Sequence, residues 1–419
     1  TDARFGDAIR LFGLDLDRAP LPSGRRRPLR LFWEPLRPLP EELSISLRLT
    51  RDGREWWRWD GSPAAHTYPT TYWKPGRAVR GSPLVQVPTG TPPGRYDLEM
   101  VVYNRSTGQT LPVQLSGARG GDAGAAPSTS LRLATLEVSP AEEPADPAGL
   151  PVAARAPLDL GGVELVGGEA RPDAVDAGAP IDLALAWRLA GPAAARRERL
   201  LLVDAAGRVW PLLEGALGGA YPIERWRPGE VVVERSEATV PPGAAAGDAR
   251  LLVAASPAGA APSPAELARI AIRSRAHTFA APLAARSLRA QVGELASLVG
   301  VDAPASVGRG EPLTVTLHWQ ARAETTTSYS VFVHLVGADD RPVAQRDGIP
   351  GEGTLPTTGW VAGEFLRDTY TLAVPAGLEP GEYRLLVGMY QPRTGQRLPA
   401  LGPAADAADR VAAATVQVR

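Results

Sequence analysis

Tyr68-Pro-Thr-Thr-Tyr-Trp73, Tyr221-Pro-Ile-Glu-Arg-Trp226 and Leu355-Pro-Thr-Thr-Gly-Trp360 are three versions of one segment, and their placement decides the fold. Upstream of each lies an alternating strand that ends in tryptophan: Leu29, Leu31, Trp33; Ile181, Leu183, Leu185, Trp187; and Leu313, Val315, Leu317, Trp319. The two tryptophans are 40, 39 and 41 residues apart, and a glycine (Gly94, Gly247, Gly381) follows the second by 21 residues in every copy. Constancy over three anchors identifies an internal repeat. Apolar residues at period two put one face of each strand against a core.

Between the anchors the copies read as further strands parted by turn chemistry. The third copy has Tyr329, Val331, Val333 and Leu335, then a Gly337-Ala-Asp-Asp340 turn. The first has Leu43, Ile45, Leu47 and Leu49, then Arg51-Asp-Gly53. Pro93-Gly94-Arg95-Tyr96 and Pro380-Gly381-Glu382-Tyr383 each launch a strand that leaves through a Thr-Gly-Gln hairpin. The best helix candidate, Ser263-Pro-Ala-Glu266 running to Ile272, opens with a capping box but overlaps a strand-like Arg-Ile-Ala tripeptide, so a short turn and then a strand is expected. About seven strands per copy imply a two-sheet sandwich. The expected architecture is all-β: three tandem immunoglobulin/fibronectin-III-like β-sandwiches over 1–140, 152–274 and 286–419. The middle copy is divergent, with Ala249 where the others carry tyrosine. The linkers are expected at 139–151 and 273–285.

Composition supports packed domains and removes several chemistries. The chain has 419 residues, 44% hydrophobic, with 44 Gly and 42 Pro serving largely as strand punctuation. It holds no cysteine, two methionines and four histidines, so thiol nucleophiles, disulfides and cysteine-based metal sites are excluded. The net charge of −1 argues against a nucleic-acid binder, which needs a basic excess on some face. The one basic run, Arg25 to Arg27 with Arg30, reads as a solvated turn, with an anionic contact as the competing reading. No apolar run reaches the roughly 18 residues of a membrane span, and no hydrophobic leader follows Thr1.

Catalytic signatures are missing as well. The sequence has no nucleophile elbow, no His-Glu-x-x-His and no phosphate-binding or dinucleotide glycine loop. His66, His277, His318 and His334 are not at metal-ligand spacing. Asp15 with Asp17, and Asp339 with Asp340, lack the loop of a calcium site. No metal and no cofactor is therefore expected. Asn104-Arg-Ser106 matches the three-residue glycosylation sequon.

Six of the ten tryptophans belong to the repeat. Trp33, Trp73, Trp187, Trp226, Trp319 and Trp360, together with Tyr96 and Tyr383, are read as structural anchors. Trp56, Trp57 and Trp59 match Val343, Ala344 and Arg346, so the repeat does not require them. With Val343 expected to point inward, Trp56 is assigned to the core. Alternation then sets Trp57 and Trp59 side by side on the outer face, a flat platform suited to sugar rings or to a domain interface. Arg58, His66 and Tyr72 would supply its polar contacts.

The Pro-Gly-x-Tyr element resembles the tyrosine corner of fibronectin type III and other immunoglobulin-like domains. The third copy, from His334-Leu-Val-Gly-Ala-Asp-Asp340 through Trp360 to Met389-Tyr-Gln-Pro-Arg-Thr-Gly-Gln-Arg-Leu-Pro399, also resembles a domain appended to multi-spanning bacterial glycosyltransferases of the mannosyl- and arabinosyl-transferase superfamily. That resemblance covers the first copy less well and the second only through its anchors. It implies an extracytoplasmic, envelope-associated location, and it transfers no catalytic residue.

The resulting expectation is a non-catalytic binding module for a glycan or cell-envelope component. One alternative is a structural surface component that self-associates, and another is a glycan-active enzyme with an acidic cleft between domains.

Overall fold

The computed structural model describes residues 2–65, 67–115, 128–143, 149–192, 194–257 and 264–419, which form three sandwiches of the same plan. In the third, one sheet orders its strands Phe365–Ala373, Pro312–Ala321, Ala296–Asp302, Arg286–Val292 and Ala400–Leu401. The facing sheet runs Ser306–Val307, Val411–Val418, Gly381–Tyr390, Ser330–Val336 and Pro342–Gly348. The first unit repeats this with sheets built around Arg30–Pro35 and Gly94–Asn104, the second around Pro180–Leu189 and Gly247–Pro257. Its sheets lie within residues 3–139, 154–273 and 286–418 respectively. The opening of each unit first pairs antiparallel in one sheet and then crosses to run parallel to the last strand in the other: Leu21 beside Val138, Val175 beside Ile272, Val307 beside Val418. These are tandem immunoglobulin/fibronectin-III-like β-sandwiches.

Alternation of apolar residues puts one face of every central strand into a core of its own unit. The strand-ending Trp33, Trp187 and Trp319 are fully buried there, and the loop tryptophans Trp73, Trp226 and Trp360 are at most 3% exposed. Each loop segment folds the same way. A proline precedes a single 3-10 turn (Thr70–Tyr72, Ile223–Arg225, Thr357–Gly359), and the tryptophan follows it. The indole N–H then donates to the carbonyl five residues back: Trp73 to Tyr68, Trp226 to Tyr221, Trp360 to Leu355. Proline thus fixes the entry, and the indole finds the partner that a buried N–H requires.

The tyrosine corners close as the resemblance implies. Tyr96 Oη donates to the Pro92 carbonyl at 2.8 Å and Tyr383 Oη to that of Glu379 at 2.9 Å. In the middle unit Ala249 is buried, and the same corner is held from the opposite side. Ala245, the counterpart of Pro92 and Glu379, donates its N–H to Asp204 Oδ2, which also accepts from the Trp210 indole at 2.9 Å. The helix candidate is resolved in favour of sheet: Ala265–Arg273 is a strand, while Ser263 lies outside the described residues.

Candidate functional site

The expected aromatic platform lies on strand Arg54–Gly61, the edge of its sheet, paired with Leu43–Arg51. Its register corrects the expected orientation. Trp57 stands opposite Leu49 and Trp59 opposite Leu47, and residues directly opposite share a face. Leu47 and Leu49 are fully buried, so both tryptophans face the core and pack against it. The cause is a bulge: Thr50 pairs with Glu55 and Leu49 with Trp57, leaving Trp56 as the extra residue. A bulge re-aims side chains and shifts the alternation. Trp56 is half-buried and packs edge-on against Tyr96, with ring centroids 5.6 Å apart. The third unit has the same bulge, where Leu335 pairs with Ala344 and Val343 is extra. Trp56 and Val343 pack against the core as expected, and the bulge turns Trp57 and its counterpart Ala344 inward beside them.

Of the polar residues expected around the platform, two lie among the described residues. Arg58 faces outward and is held by Asp60 at 2.7 Å. Tyr72 is 65% exposed. His66 lies outside the described residues. Trp59 covers Gly61, where a Cβ would collide with its ring.

What this strand does meet is the second unit. The Arg235 guanidinium lies 5.5 Å from the Trp56 ring centroid, Arg54 donates to the Arg235 carbonyl, and Arg235 donates to the Glu55 carbonyl. Val233 N–H donates to the Gly90 carbonyl at 2.8 Å. Gly90 is needed there, with φ of +81° and a Cβ position 2.7 Å from Val233 Cγ2. Beside this junction is a cleft of about 470 Å3 whose carboxylates (Glu55, Glu169, Asp182, Glu237) alternate with Arg54, Arg171 and Arg235.

The junction of units two and three is built on one carboxylate. Glu364 is 1% exposed; it accepts from Arg275 Nη1 and Nη2 and from the Val361 N–H, and the His277 Nδ1 is 3.1 Å from it. Burial alone would raise its pKa, but the Arg275 guanidinium brings it below the ordinary value. Arg275 also donates to the Gly359 carbonyl, and Phe365 N–H to Thr278. Gly178, at φ of +88°, lets Thr358 and Gly359 approach so closely that a Cβ would overlap their backbone. A cleft of about 490 Å3 opens beside these groups.

One buried acid pair was not legible beforehand. Glu198 and Glu234 are neighbours between the sheets of the middle sandwich. Burial raises both pKa values, and the neighbouring carboxylate pushes Glu234 well above its ordinary range. Glu234 also accepts from Gly218 N–H at 2.5 Å.

Most of the remaining polar candidates are engaged. Arg25, Arg27 and Arg30 pair with Glu142, Asp17 and Asp15. Asp340 is shared by Arg384 and Arg410. His318 is 1% exposed and bonds to Asp302 at 2.7 Å, and His334 bonds to Asp347. No group of three metal-ligating side chains occurs among the described residues. Asn104 of the sequon is 7% exposed, donating to Glu41 and accepting from Ser106 and Thr107. A glycan on this nitrogen would disturb its contact with Glu41 and leave the Oδ1 bonds of the hairpin in place.

No known family matches the chain, and no curated protein does. Among solved structures it is similar to dimeric latent PorU from Porphyromonas gingivalis, at 12% identity and a TM-score of 0.25. That match covers 98% of this chain and 34% of the other, so the chain spans about a third of PorU. It is also similar to the chicken CNTN1 FN1–FN3 domains, at 11% identity, with 97% and 98% of the two chains covered and a TM-score of 0.21. Red sea bream transglutaminase matches 62% of this chain with 32% of its own, at 12% identity and a TM-score of 0.17.

Proposed function

We propose that this chain is a non-catalytic, rigid spacer on the extracytoplasmic side of a bacterial cell, the soluble part of an envelope protein of glycosyltransferase-like organisation. The carrying observation is that both junctions are locked by specific, buried chemistry: Gly90 and Trp56 against Val233 and Arg235, and Arg275 with Gly178 against Glu364 and Thr358. Flexibly strung domains do not need such contacts, because inter-domain motion is the default. The envelope location and the glycosyltransferase association rest on the resemblance of the third copy. Absence of cysteine suits either compartment and adds nothing. A glycan platform on Trp57 and Trp59 is not carried forward, since both rings face the core.

Because the native chain has no thiol, spin labels can be placed cleanly at Arg18→Cys and Arg393→Cys, both on exposed residues of the outer units. A rigid spacer gives one narrow distance distribution by electron–electron resonance, and Arg275→Ala broadens it. A distribution already broad in the parent chain overturns the proposal.

A further inference from the structure

Arg54 and Arg235 line a second cleft at the junction of units one and two, besides the acidic one. It measures about 300 Å3, the lower end of what holds a small ligand, and each unit contributes an aromatic ring to it, Trp56 and Tyr221. Its charges do not balance. Arg51, Arg54 and Arg235 stand against Asp52 and Glu234. Asp52 pairs with Arg51 at 3.5 Å. Burial and the neighbouring Glu198 raise the pKa of Glu234 well above its ordinary range, which disfavours its charged form. Among the described residues, Arg54 and Arg235 are left without a carboxylate partner.

The two are not equally placed. Arg54 is exposed and water serves it, whereas Arg235 is half-buried. Arg235 Nη1 reaches only the Glu55 carbonyl, at 3.4 Å, and its Nε is buried with no acceptor. A guanidinium withdrawn from water needs a counter-charge. At the other junction that need is met within the chain, where Arg275 Nη1 and Nη2 donate to the two oxygens of Glu364. The Arg235 guanidinium also lies 5.5 Å from the Trp56 ring centroid, so a carboxylate that it holds stands beside an indole.

We propose that this cleft binds a small carboxylate carried on a six-membered ring, a sugar acid or an aromatic acid, with the carboxylate on Arg235 and the ring against Trp56. The planar guanidinium matches carboxylate geometry, Arg51 and Arg54 add attraction at the rim, and a ring face packs on an indole. The site goes beyond the spacer reading and does not depend on it.

The probes are glucuronate and benzoate, titrated into the full chain with the Trp56 indole N–H followed by NMR. At least one is expected to shift that signal saturably, and which one does so assigns the ring. Acetate, which lacks the ring, and the neutral amides of both acids, which lack the charge, should bind about tenfold more weakly or worse. Arg235→Gln should weaken the bound acid by about tenfold. Because Arg235 also braces the junction, Arg54→Gln supplies a second reading. It should weaken binding about threefold, with exchange of the Val233 amide, which donates to Gly90, unchanged. No shift with either acid overturns the proposal. So does acetate binding as tightly as the ring acids, and so does binding indifferent to both substitutions.

Discussion

The second and third units share a plan but solve the same buried problem with different residues. Eight residues after the loop tryptophan, each places a carboxyl group in the core, Glu234 and Asp368. Each accepts from a glycine N–H of the preceding loop, Gly218 and Gly351, and lies beside the strand-ending tryptophan, Trp187 and Trp319. In the third unit the acid's other partner is the Tyr370 hydroxyl at 2.7 Å. In the second that tyrosine is Ser236, and the position of core Val331 has become Glu198, which reaches the acid instead. The first unit has Gly81 there, and Trp33 donates to the Pro63 carbonyl. A buried polar group needs partners: the acid of the third unit finds Gly351 and Tyr370, that of the second finds Gly218 beside Glu198, and the first unit, with Gly81, has no acid to satisfy. Divergence of the middle unit is therefore compensated exchange.

The largest expected effect tests whether Asp204 does the work of the missing corner tyrosine. Its carboxylate accepts from Ala206, Arg208 and Ala245 N–H and from Trp210. Asp204→Ala should cost about 3 kcal/mol, several donors being stripped at once. The loss should appear as faster amide exchange confined to strand Gly247–Pro257 and its neighbours. Restoring the tyrosine by Ala249→Tyr should also destabilise, by about 2 kcal/mol, because Ala249 is fully buried in a site already filled. Stabilisation would show that the corner is merely degraded.

A third test concerns pH. Both carboxyl groups of the Glu198–Glu234 pair have raised pKa values. The native unit thus retains a proton that the unfolded chain releases, and stability falls as pH rises from the ordinary carboxylate range toward the raised values. Asp302 of the third unit is shifted the other way, chiefly by the Ala285 N–H and then His318, and its contribution is lost as pH falls. Urea unfolding from pH 4 to 7, followed through exchange in each unit, should show the middle unit losing ground relative to the third. Glu198→Gln should flatten that trend, since an amide donates to Glu234 at every pH. The smallest effect is expected at the intact corners, where Tyr383→Phe removes one hydrogen bond worth about 1 kcal/mol and Tyr96→Phe removes the corresponding bond together with a long one accepted from Arg51.

The sheet plan was legible because period-two strands and invariant spacings report backbone geometry directly. Trp33, Trp187 and Trp319 needed nothing more. The orientation of Trp57 and Trp59 was not legible, because one extra residue at Trp56 reverses the alternation and leaves the local pattern unchanged. Glu198 and Glu234 lie 36 residues apart in different sheets, so no local signal joins them.

The parallel pairing of Leu21 with Val138, Val175 with Ile272 and Val307 with Val418 has a mechanical consequence. Tension pulling on the two ends of a unit enters near its first strands and leaves through its last. Between those lines of force stands a short parallel ladder, loaded in shear, whose hydrogen bonds must yield together before the sandwich can extend. The ladder spans two residue pairs in the outer units and three in the middle one. The unit with the most altered core thus carries the longest clamp against stretching.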